Sequence, residues 1–406
     1  MMKEFLQLDR NLKLRMLTMF LVAILNSSVL PNMTIYYSHY FGTLVTGGLL
    51  IAVSVASFLA GLYGGHLADV YGRKPVMIGG GLLIAVGYAV AAAMNSPWIH
   101  DPQVTFIGFL VAGVGSSGAN PAEQAMIIDA STPANRQYVY SLSYWIVNIS
   151  VMIGSALGGW FFRDYLFELL TGMIVVSIVN LGIVSLGMRE IEHATAAVSN
   201  SLRSLVHAYR EVMTDQRYLL FLIGWVFACI ISSQPDYYLA VHLGADFHPT
   251  TIMGLHLYGQ RMLSMVTITN TVMIVVLMGV FTRISRGWRL ARTYTLGVTL
   301  SALGFASAFV GDRFWPLILS AVILTLGEMF VVPSSQTLRA DMMNPARIGV
   351  YSGAMMAVNP LASVIAGLLV SVSGLLDNWG MAAVMILCGL ASIGLVGRSA
   401  GMPATY

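Results

Sequence analysis

Twelve long apolar stretches, separated by short polar connections, make up most of this chain of 406 residues. A helix needs roughly 20 apolar residues to cross the hydrocarbon of a bilayer, and each stretch is of about that length. The predicted spans are 16–38, 43–67, 76–94, 104–127, 138–161, 165–188, 218–241, 254–281, 291–310, 315–338, 348–372 and 379–397. The pattern predicts an all-α polytopic membrane protein with twelve transmembrane helices.

The positively charged residues predict the orientation of these spans. Of the 21 Lys and Arg residues, 18 lie before the first span, in the even-numbered connections or after the last span. Lys and Arg accumulate in the cytoplasmic connections of membrane proteins. Both termini and all even-numbered connections are therefore expected in the cytoplasm, and the chain is expected in the cell membrane as a multi-pass protein.

Six residues recur at a constant spacing of 212 residues and indicate an internal duplication. Gly115, Pro121, Gln124, Asp129, Pro133 and Ala134 reappear as Gly327, Pro333, Gln336, Asp341, Pro345 and Ala346. Repeats inside apolar segments are typical of membrane transporters, whose two halves move about a shared midplane site. We therefore predict a six-helix bundle at 1–188, a cytoplasmic linker with a short amphipathic helix at 189–217, and a second six-helix bundle at 218–406.

Composition leads to the same class of protein. Hydrophobic residues make up 57% of the chain, charged residues 10%, and the mean hydropathy is +0.76. Polar groups are too few to cover a surface in water, so lipid is the expected solvent. The net charge of +3 follows from the cytoplasmic cations and does not indicate nucleic-acid binding. Cys229 and Cys388 lie in separate apolar spans without metal-ligand spacing, so neither a disulfide framework nor a metal site is predicted.

Motifs of membrane-embedded enzymes and of ATP-driven pumps do not occur in the sequence. The motifs H-E-x-x-H, G-x-S-x-G and the P-loop are all missing. The chain is therefore not expected to be an enzyme or to need a cofactor. An ion gradient is the expected source of energy.

The most specific motif of the chain is the segment 65–75, which reads G-H-L-A-D-V-Y-G-R-K-P. Gly72 permits a tight turn between spans two and three, and Asp69 and Arg73 place opposite charges at the membrane boundary. The segment closely resembles the signature G-x-L-A-D-x-x-G-R-K-x of the major facilitator superfamily. The resemblance implies a conformational latch that stabilises the outward-facing state, formed by Gly65, Asp69, Gly72, Arg73 and Lys74.

Further segments in both halves are similar to the LmrP-like multidrug transporters of this superfamily. These segments are 2–15, 125–131, 258–263 and 325–328. The resemblance implies the major facilitator fold and proton-coupled export of lipophilic, often cationic, small molecules by alternating access. It also implies partners of three kinds, namely those compounds, protons and membrane lipids, and a monomeric protein.

Four acids are the candidates for proton coupling: Glu328, Asp236 and Glu123 lie in predicted spans, and Asp129 lies just after the end of span four. An ionised carboxylate inside the membrane costs roughly 2.5–3.5 kcal/mol on insertion scales, so each acid needs a partner or a purpose. Glu328 lies near the middle of span ten, where a carboxyl can be protonated in one conformation and ionised in another. A cationic substrate could then replace the proton. The counterpart of Glu328 in the first half is Ser116, so the repeat does not itself require an acid there.

One position departs from the LmrP-like pattern. Ser143 stands where those transporters carry an aspartate that is linked to proton handling. Glu123 could replace that acid, since spans four and five are plausible packing neighbours. The other interpretation, that Glu123 reaches cytoplasmic water, is equally well supported by the sequence.

Aromatic and thioether side chains beside the acids are the remaining candidates for a substrate site. Aromatic faces attract cations, and methionine adapts to varied shapes. With Glu328 and Asp236, the predicted set comprises Tyr36, Tyr37, Tyr144, Trp145, Tyr237, Tyr238 and Met329. Arg261 in span eight has about the same depth as Asp236 in span seven, so an ion pair between them is expected in at least one state.

Three other functions stay open at the level of sequence. Uptake of a small nutrient by proton symport would use the same fold with a more polar site. Export of lipids or peptides on the same fold is a further alternative. A non-transporting membrane module would be expected to lose motif residues, whereas Asp69, Arg73 and Glu328 are all present.

Overall fold

Helices dominate the computed structural model, which describes residues 8–132, 135–190, 213–343, 351 and 354–403. In the first half they are α1 (Arg10–Tyr71), α2 (Arg73–Ala93), α3 (Pro102–Ala130), α4 (Arg136–Phe161) and α5 (Leu166–Gly182), which continues into a π-helical turn, Ile183–Gly187. In the second half they are α6 (Gln216–Ser232), α7 (Tyr238–Asp246), α8 (Gly259–Ile284), α9 (Leu290–Val310), α10 (Phe314–Met342) and α11 (Val358–Gly401).

Eight helices among the described residues are long and apolar enough to cross a membrane. They are Arg10–Tyr71, Arg73–Ala93, Tyr138–Phe161, Leu166–Gly187, Gly259–Phe281, Leu290–Val310, Phe314–Met342 and Val358–Gly401. The prediction of a predominantly helical protein with several membrane-spanning helices is confirmed.

The two longest helices each contain a break in the backbone. In α1 the break is at Gly42, whose φ of 74° and ψ of 168° are not helical. In α11 it is at Asp377, with φ 52° and ψ −177°. A positive φ suits glycine but strains other residues, and the Asp377 carboxylate accepts a hydrogen bond from the Gly380 backbone N–H at 2.7 Å. Both breaks fall in connections that the apolar pattern predicts between consecutive spans.

The seventh and eighth predicted spans differ from the structure. Span seven was expected as one helix over 218–241, but a 3₁₀ turn, Gln234–Asp236, interrupts it between α6 and α7. Pro235 explains the interruption, because proline removes a backbone donor and clashes with the preceding turn.

Span eight was expected to start at residue 254, but α8 begins at Gly259. The preceding residues form an antiparallel hairpin of β3 (Thr250–Ile252) and β4 (Leu255–Leu257), in which Ile252 pairs with Leu255. Met253 and Gly254 both have positive φ, as a tight two-residue hairpin turn requires. A second hairpin, β1 (Asn95–Ser96) with β2 (Ile99–His100), joins α2 to α3.

The internal duplication is visible in the lengths and packing of the helices. The helices α3 and α10 each have 29 residues and carry the duplicated Pro121 and Pro333 inside them. At the duplicated Gly115 and Gly327, the neighbouring helix is too close to leave room for a side chain. A Cβ on Gly115 would collide with the backbone of α2, and a Cβ on Gly327 would collide with the backbone of α9. The part of the repeat at 133–134 and 345–347 lies outside the described residues.

The chain divides into two compact units. Unit 1 comprises Met1–Met33 with Ala52–Ala197, and unit 2 comprises Thr34–Ile51 with Val198–Tyr406. The main core of unit 2 packs large buried side chains such as Tyr218, Phe221, Tyr294 and Phe309. Compared with the predicted boundaries, residues 34–51 group with the second half. Of the predicted linker at 189–217, residues 191–212 lie outside the described residues, and most of its amphipathic helix falls among them.

Candidate functional site

Opposite charges meet at the turn between α1 and α2, as the motif indicates. Arg73 Nη1 lies 2.7 Å from Asp69 Oδ1, and Arg73 Nε lies 3.5 Å from Asp129 Oδ2. Asp69 and Arg73 are four residues apart, with Gly72 at φ 95° between them. Asp129, which the sequence analysis assigns to proton coupling, is thus placed beside the motif arginine at the end of α3.

A further acid completes this arrangement. The carboxylate of Glu190 accepts hydrogen bonds from the backbone N–H groups of Arg73 and Lys74, both at 2.8 Å. A carboxylate at a helix N-terminus satisfies free backbone donors and complements the helix dipole. A side chain at Gly72 would press on this carboxylate. We call Asp69, Arg73, Asp129 and Glu190 the latch cluster.

The other motif residues support the same turn. Lys74 Nζ donates to the Met188 carbonyl at 2.9 Å, which ties the start of α2 to the end of the π-helical turn. Gly65 lies against Pro121 of α3. Glu190 does not belong to the motif. Its position as an acid shortly after span six is the one sequence feature that could have indicated its role in this turn.

A buried ion pair lies at the junction of α1 and α3 in unit 1. Arg15 Nη2 contacts Glu123 Oε2 at 2.7 Å, and the two side chains are 3% and 13% exposed. Arg15 Nε also donates to the Glu123 carbonyl at 3.3 Å, and Nη1 donates to Thr18 Oγ1 at 3.1 Å. The guanidinium therefore neutralises the charge of Glu123 and is itself held in place. From the sequence alone, Arg15 is only one of the basic residues that predict the orientation of the spans.

Ser143, the position of the absent aspartate, is close to this pair. Ser143 Oγ donates to the Val139 carbonyl at 2.9 Å and lies 3.5 Å from the sulfur of Met16. Arg15 and Met16 are consecutive residues of α1, so Glu123 and Ser143 contact neighbouring positions on the same helix. Consecutive helical residues point about 100° apart, so these contacts place Glu123 and Ser143 at the same turn of α1 and join each to a different residue of that turn. The structure does not direct Glu123 to water.

In unit 2, Glu328 of α10 is paired with a neutral amide. Asn270 Nδ2 of α8 donates to Glu328 Oε2 at 2.7 Å and to Thr325 Oγ1 at 3.2 Å. Among the described residues, no Lys, Arg or His forms an ion pair with Glu328. The contrast with Glu123 is chemical, because Glu328 has a hydrogen-bond donor but no compensating positive charge.

Glu328 lines a cavity of about 320 Å³. Aromatic and aliphatic side chains form much of its wall, and a few amides and hydroxyls stand beside the carboxyl. Small-molecule sites commonly have this character and begin at about this size. The aromatic and polar lining side chains include Trp225, Phe305, Asn270, Asn359, Ser232 and Ser301.

The structure separates most of the other predicted ligand-binding residues of unit 2 from this cavity. Met329 is buried and does not line the cavity, because consecutive residues of α10 point about 100° apart. Tyr238 is buried against Phe309, with ring centroids 4.8 Å apart. Tyr36 and Tyr37 are buried side chains of α1, and Tyr237 is half-buried at the start of α7. In unit 1, Tyr144 and Trp145 are exposed on α4.

The expected pair of Asp236 and Arg261 is not formed in this conformation. Asp236 ends the 3₁₀ turn with an exposed side chain, and its backbone carbonyl accepts a hydrogen bond from Thr34 Oγ1 at 2.6 Å. The Arg261 guanidinium donates to the His256 carbonyl at 2.6 Å and lies 4.7 Å from the centre of the Tyr258 ring. His256 belongs to the β3–β4 hairpin, which the sequence did not predict, and Tyr258 joins that hairpin to α8.

Comparison with known proteins places the chain in a family. The model of the Major Facilitator Superfamily matches residues 15–367. A Na(+), Li(+), K(+)/H(+) antiporter of Planococcus maritimus is 27% identical over 363 residues, which cover 85% of each protein. The multidrug resistance protein MdtH of Yersinia enterocolitica is 30% identical over 116 residues, or 28% of each protein.

A solved structure has the same fold. A mutant of the peptide transporter POT in complex with alafosfalin superposes with a TM-score of 0.76 at 17% identity, covering 96% of this chain and 95% of that one. The family match extends over both halves and includes the latch cluster motif and Glu328. The chain is therefore a transporter of the Major Facilitator Superfamily.

Proposed function

We propose that this transporter exports lipophilic cations in exchange for protons, and that Glu328 binds the two alternately. The observation that carries the proposal is a carboxyl without a cationic partner in a cavity with aromatic walls. In an apolar site an ionised carboxyl is costly, so the group takes up a proton or accepts a positively charged ligand. Binding of one excludes the other, which is the requirement for exchange.

The walls of the cavity suit a lipophilic cation better than a strongly hydrated solute. Trp225 and Phe305 offer aromatic faces that attract a cation and cover apolar groups. Asn270 stabilises the ionised carboxyl by a hydrogen bond but leaves its charge uncompensated. The narrower resemblance to LmrP-like multidrug transporters stays a prediction, and it agrees with this class of substrate.

The proposal includes twelve spans in the cell membrane with cytoplasmic termini. The breaks divide α1 and α11 into two spans each, so the eight candidate spans become ten. The helix α3 and the combined α6 and α7 supply the other two. Three strongly exposed tryptophans, Trp98, Trp315 and Trp379, all lie in odd-numbered connections or beside them. Such residues favour a membrane interface, which would be the outer one here.

Exchange of monovalent metal cations for protons is a second candidate. The relative from Planococcus maritimus carries this activity in its name, and the oxygen atoms of Glu328, Asn270 and Asn359 are possible ligands in the cavity. The aromatic part of the wall has no use in such a reaction. For that reason we place organic cations first.

Transport by the purified protein in proteoliposomes distinguishes these candidates. Vesicles with an acidic lumen should accumulate a fluorescent lipophilic cation, and accumulation should stop when the pH gradient is abolished. Parallel vesicles should be supplied with ²²Na⁺ or with a labelled dipeptide. Proton-driven movement of Na⁺ without the organic cation would select the second candidate, and movement of the dipeptide alone would contradict both.

Replacement of Asp69 by Asn should slow transport while leaving ligand binding intact. The change weakens one charge-assisted contact of Arg73 in the latch cluster. Because the Asp69 side chain is 63% exposed, such a contact contributes about 0.2–1 kcal/mol, which corresponds to a decrease in rate of up to about fivefold. Initial transport rates and equilibrium binding should be measured on the same preparations. Asp164→Asn, at an exposed acid 4.0 Å from Arg163, is the matched control. A rate equal to wild type in Asp69→Asn would remove the latch cluster from the transport cycle.

A further inference from the structure

A histidine of α7 is held between two acceptor oxygens at one end of unit 2. His242 Nε2 lies 2.8 Å from the Gly311 carbonyl oxygen, and His242 Nδ1 lies 3.0 Å from Asp246 Oδ2. The residue is 2% exposed. Gly311 follows the last residue of α9, so the ring connects α7 to the end of another helix.

This geometry requires a proton beyond those of a neutral imidazole and an ionised carboxylate. A carbonyl oxygen can only accept, so Nε2 must carry a hydrogen. A neutral ring then has no hydrogen on Nδ1, and two acceptors would face each other at 3.0 Å. The contact is satisfied when the pair holds one more proton.

The surroundings place that proton on the ring. Asp246 Oδ2 also accepts a hydrogen bond from Asn378 Nδ2 at 2.9 Å, and the Asp246 side chain is 45% exposed. Both conditions suit an ionised carboxylate. His242 is then an imidazolium that donates from both nitrogens.

The network continues into α11 and returns to α7. Asn378 Oδ1 accepts a hydrogen bond from the Tyr238 hydroxyl at 2.6 Å. Asn378 directly follows Asp377, the residue at the break in α11. The hydrogen bonds from Gly311 through His242, Asp246 and Asn378 to Tyr238 therefore join α7, the end of α9 and the break in α11.

A cavity of about 410 Å³ gives this network access to solution. His242, Asp246 and Asn378 form one part of its wall, and His248 and Asp312, 3.3 Å apart, form another. The other charged groups nearby are Asp377, at the break in α11, and Arg313, which lies 3.9 Å from Asp312. From α8, Arg261 is directed to His256 and Tyr258 instead. Among these described residues, acids outnumber cations.

We infer that His242 and Asp246 form a proton-binding site, separate from Glu328, that holds α7, α9 and α11 together when it is occupied. The site shares no lining residue with the Glu328 cavity. The orientation of the site rests on the proposed function, in which the odd-numbered connections lie outside the cell. With that orientation, the site faces the outside. An acidic exterior then fixes this end of unit 2, and an alkaline exterior releases it.

Nitrogen NMR on protein labelled with ¹⁵N-histidine in lipid bilayers tests the protonation directly. The chain has eight histidines, and at pH 7.5 we expect the His242 ring to give a signal with both nitrogens protonated. That signal should vanish in His242→Gln and persist in His256→Gln, which changes an exposed histidine of the β3–β4 hairpin. In Asp246→Asn the ring should become neutral. A neutral His242 ring in the wild-type protein at pH 7.5 would overturn the inference.

Thermal melting supplies a second readout that does not depend on transport. A proton that only the folded protein holds stabilises the folded state at low pH, and this stabilisation is lost as the pH rises. The melting temperature of wild type should exceed that of Asp246→Asn by about 2–4 °C at pH 6, and the difference should shrink at pH 9. A difference that is constant with pH would contradict the site, whatever the transported substrate proves to be.

Discussion

Glu328→Gln should weaken the binding of a lipophilic cation by about ten- to a hundredfold, or about 1.4–2.8 kcal/mol, and change the binding of a neutral lipophilic compound less than threefold. The amide preserves the shape of the side chain and a hydrogen bond with Asn270, but it removes the charge that attracts the cation. Aromatic and apolar contacts of the cavity are unaffected, so the neutral compound should keep its affinity.

The same substitution should remove the pH dependence of cation binding. In the wild-type protein a falling pH protonates the carboxyl and displaces the cation, whereas glutamine does not titrate in this range. Affinity should be measured by fluorescence anisotropy between pH 5 and 9. Glu168→Gln, at an exposed acid in the first turn of α5, is the matched control. Equal losses for charged and neutral compounds, with the pH profile preserved, would exclude Glu328 as the shared site.

Arg15→Met should destabilise the folded protein by about 3–5 kcal/mol, because it leaves the buried carboxylate of Glu123 without its positive partner. The double variant Arg15→Met with Glu123→Met should recover most of this loss, since a buried ion pair is often replaceable by apolar groups of similar volume. Unfolding in a defined detergent gives the comparison. Arg163→Met, at an exposed pair 4.0 Å apart, should change stability by less than about 1 kcal/mol.

A double variant as unstable as Arg15→Met alone would show that the pair acts through something other than charge compensation.

The Glu123 variants also test whether Glu123 takes part in proton coupling. If Glu123 has replaced the absent acid, then Ser143→Asp should partly restore proton-driven transport to Glu123→Gln, since both positions contact consecutive residues of α1. Full proton-driven transport in Glu123→Gln alone would remove Glu123 from the proton route.

The helices could be predicted well because apolar length is a direct consequence of membrane thickness. The break at Gly42 falls where the apolar pattern weakens. The interruption at Pro235 could not be predicted from hydropathy, because proline is also tolerated inside membrane helices. The β3–β4 hairpin could not be predicted either, because Leu255 and Leu257 are as hydrophobic in a strand as in a span. Hydropathy reports the solvent around a residue and carries little information on its backbone conformation.

The candidate site was partly predictable for a similar reason. Asp69 and Arg73 are one helical turn apart in sequence, so their contact is local and follows from the motif. The partners of Arg73 and Glu328 from other helices, such as Glu190 and Asn270, depend on tertiary packing. Consecutive residues on one helix face different directions, which explains why Met329, directly after Glu328, does not line the Glu328 cavity.

Proton release on ligand binding is the most direct test of exchange at Glu328. Purified protein in a weakly buffered solution near pH 6 should release up to about one proton for each lipophilic cation that binds, because the carboxyl must lose its proton to accept the cation. A neutral ligand should release none, and Glu328→Gln should release none with either ligand. Cation binding to wild type without proton release, or equal release from wild type and Glu328→Gln, would contradict the proposal that proton and substrate compete for this carboxyl.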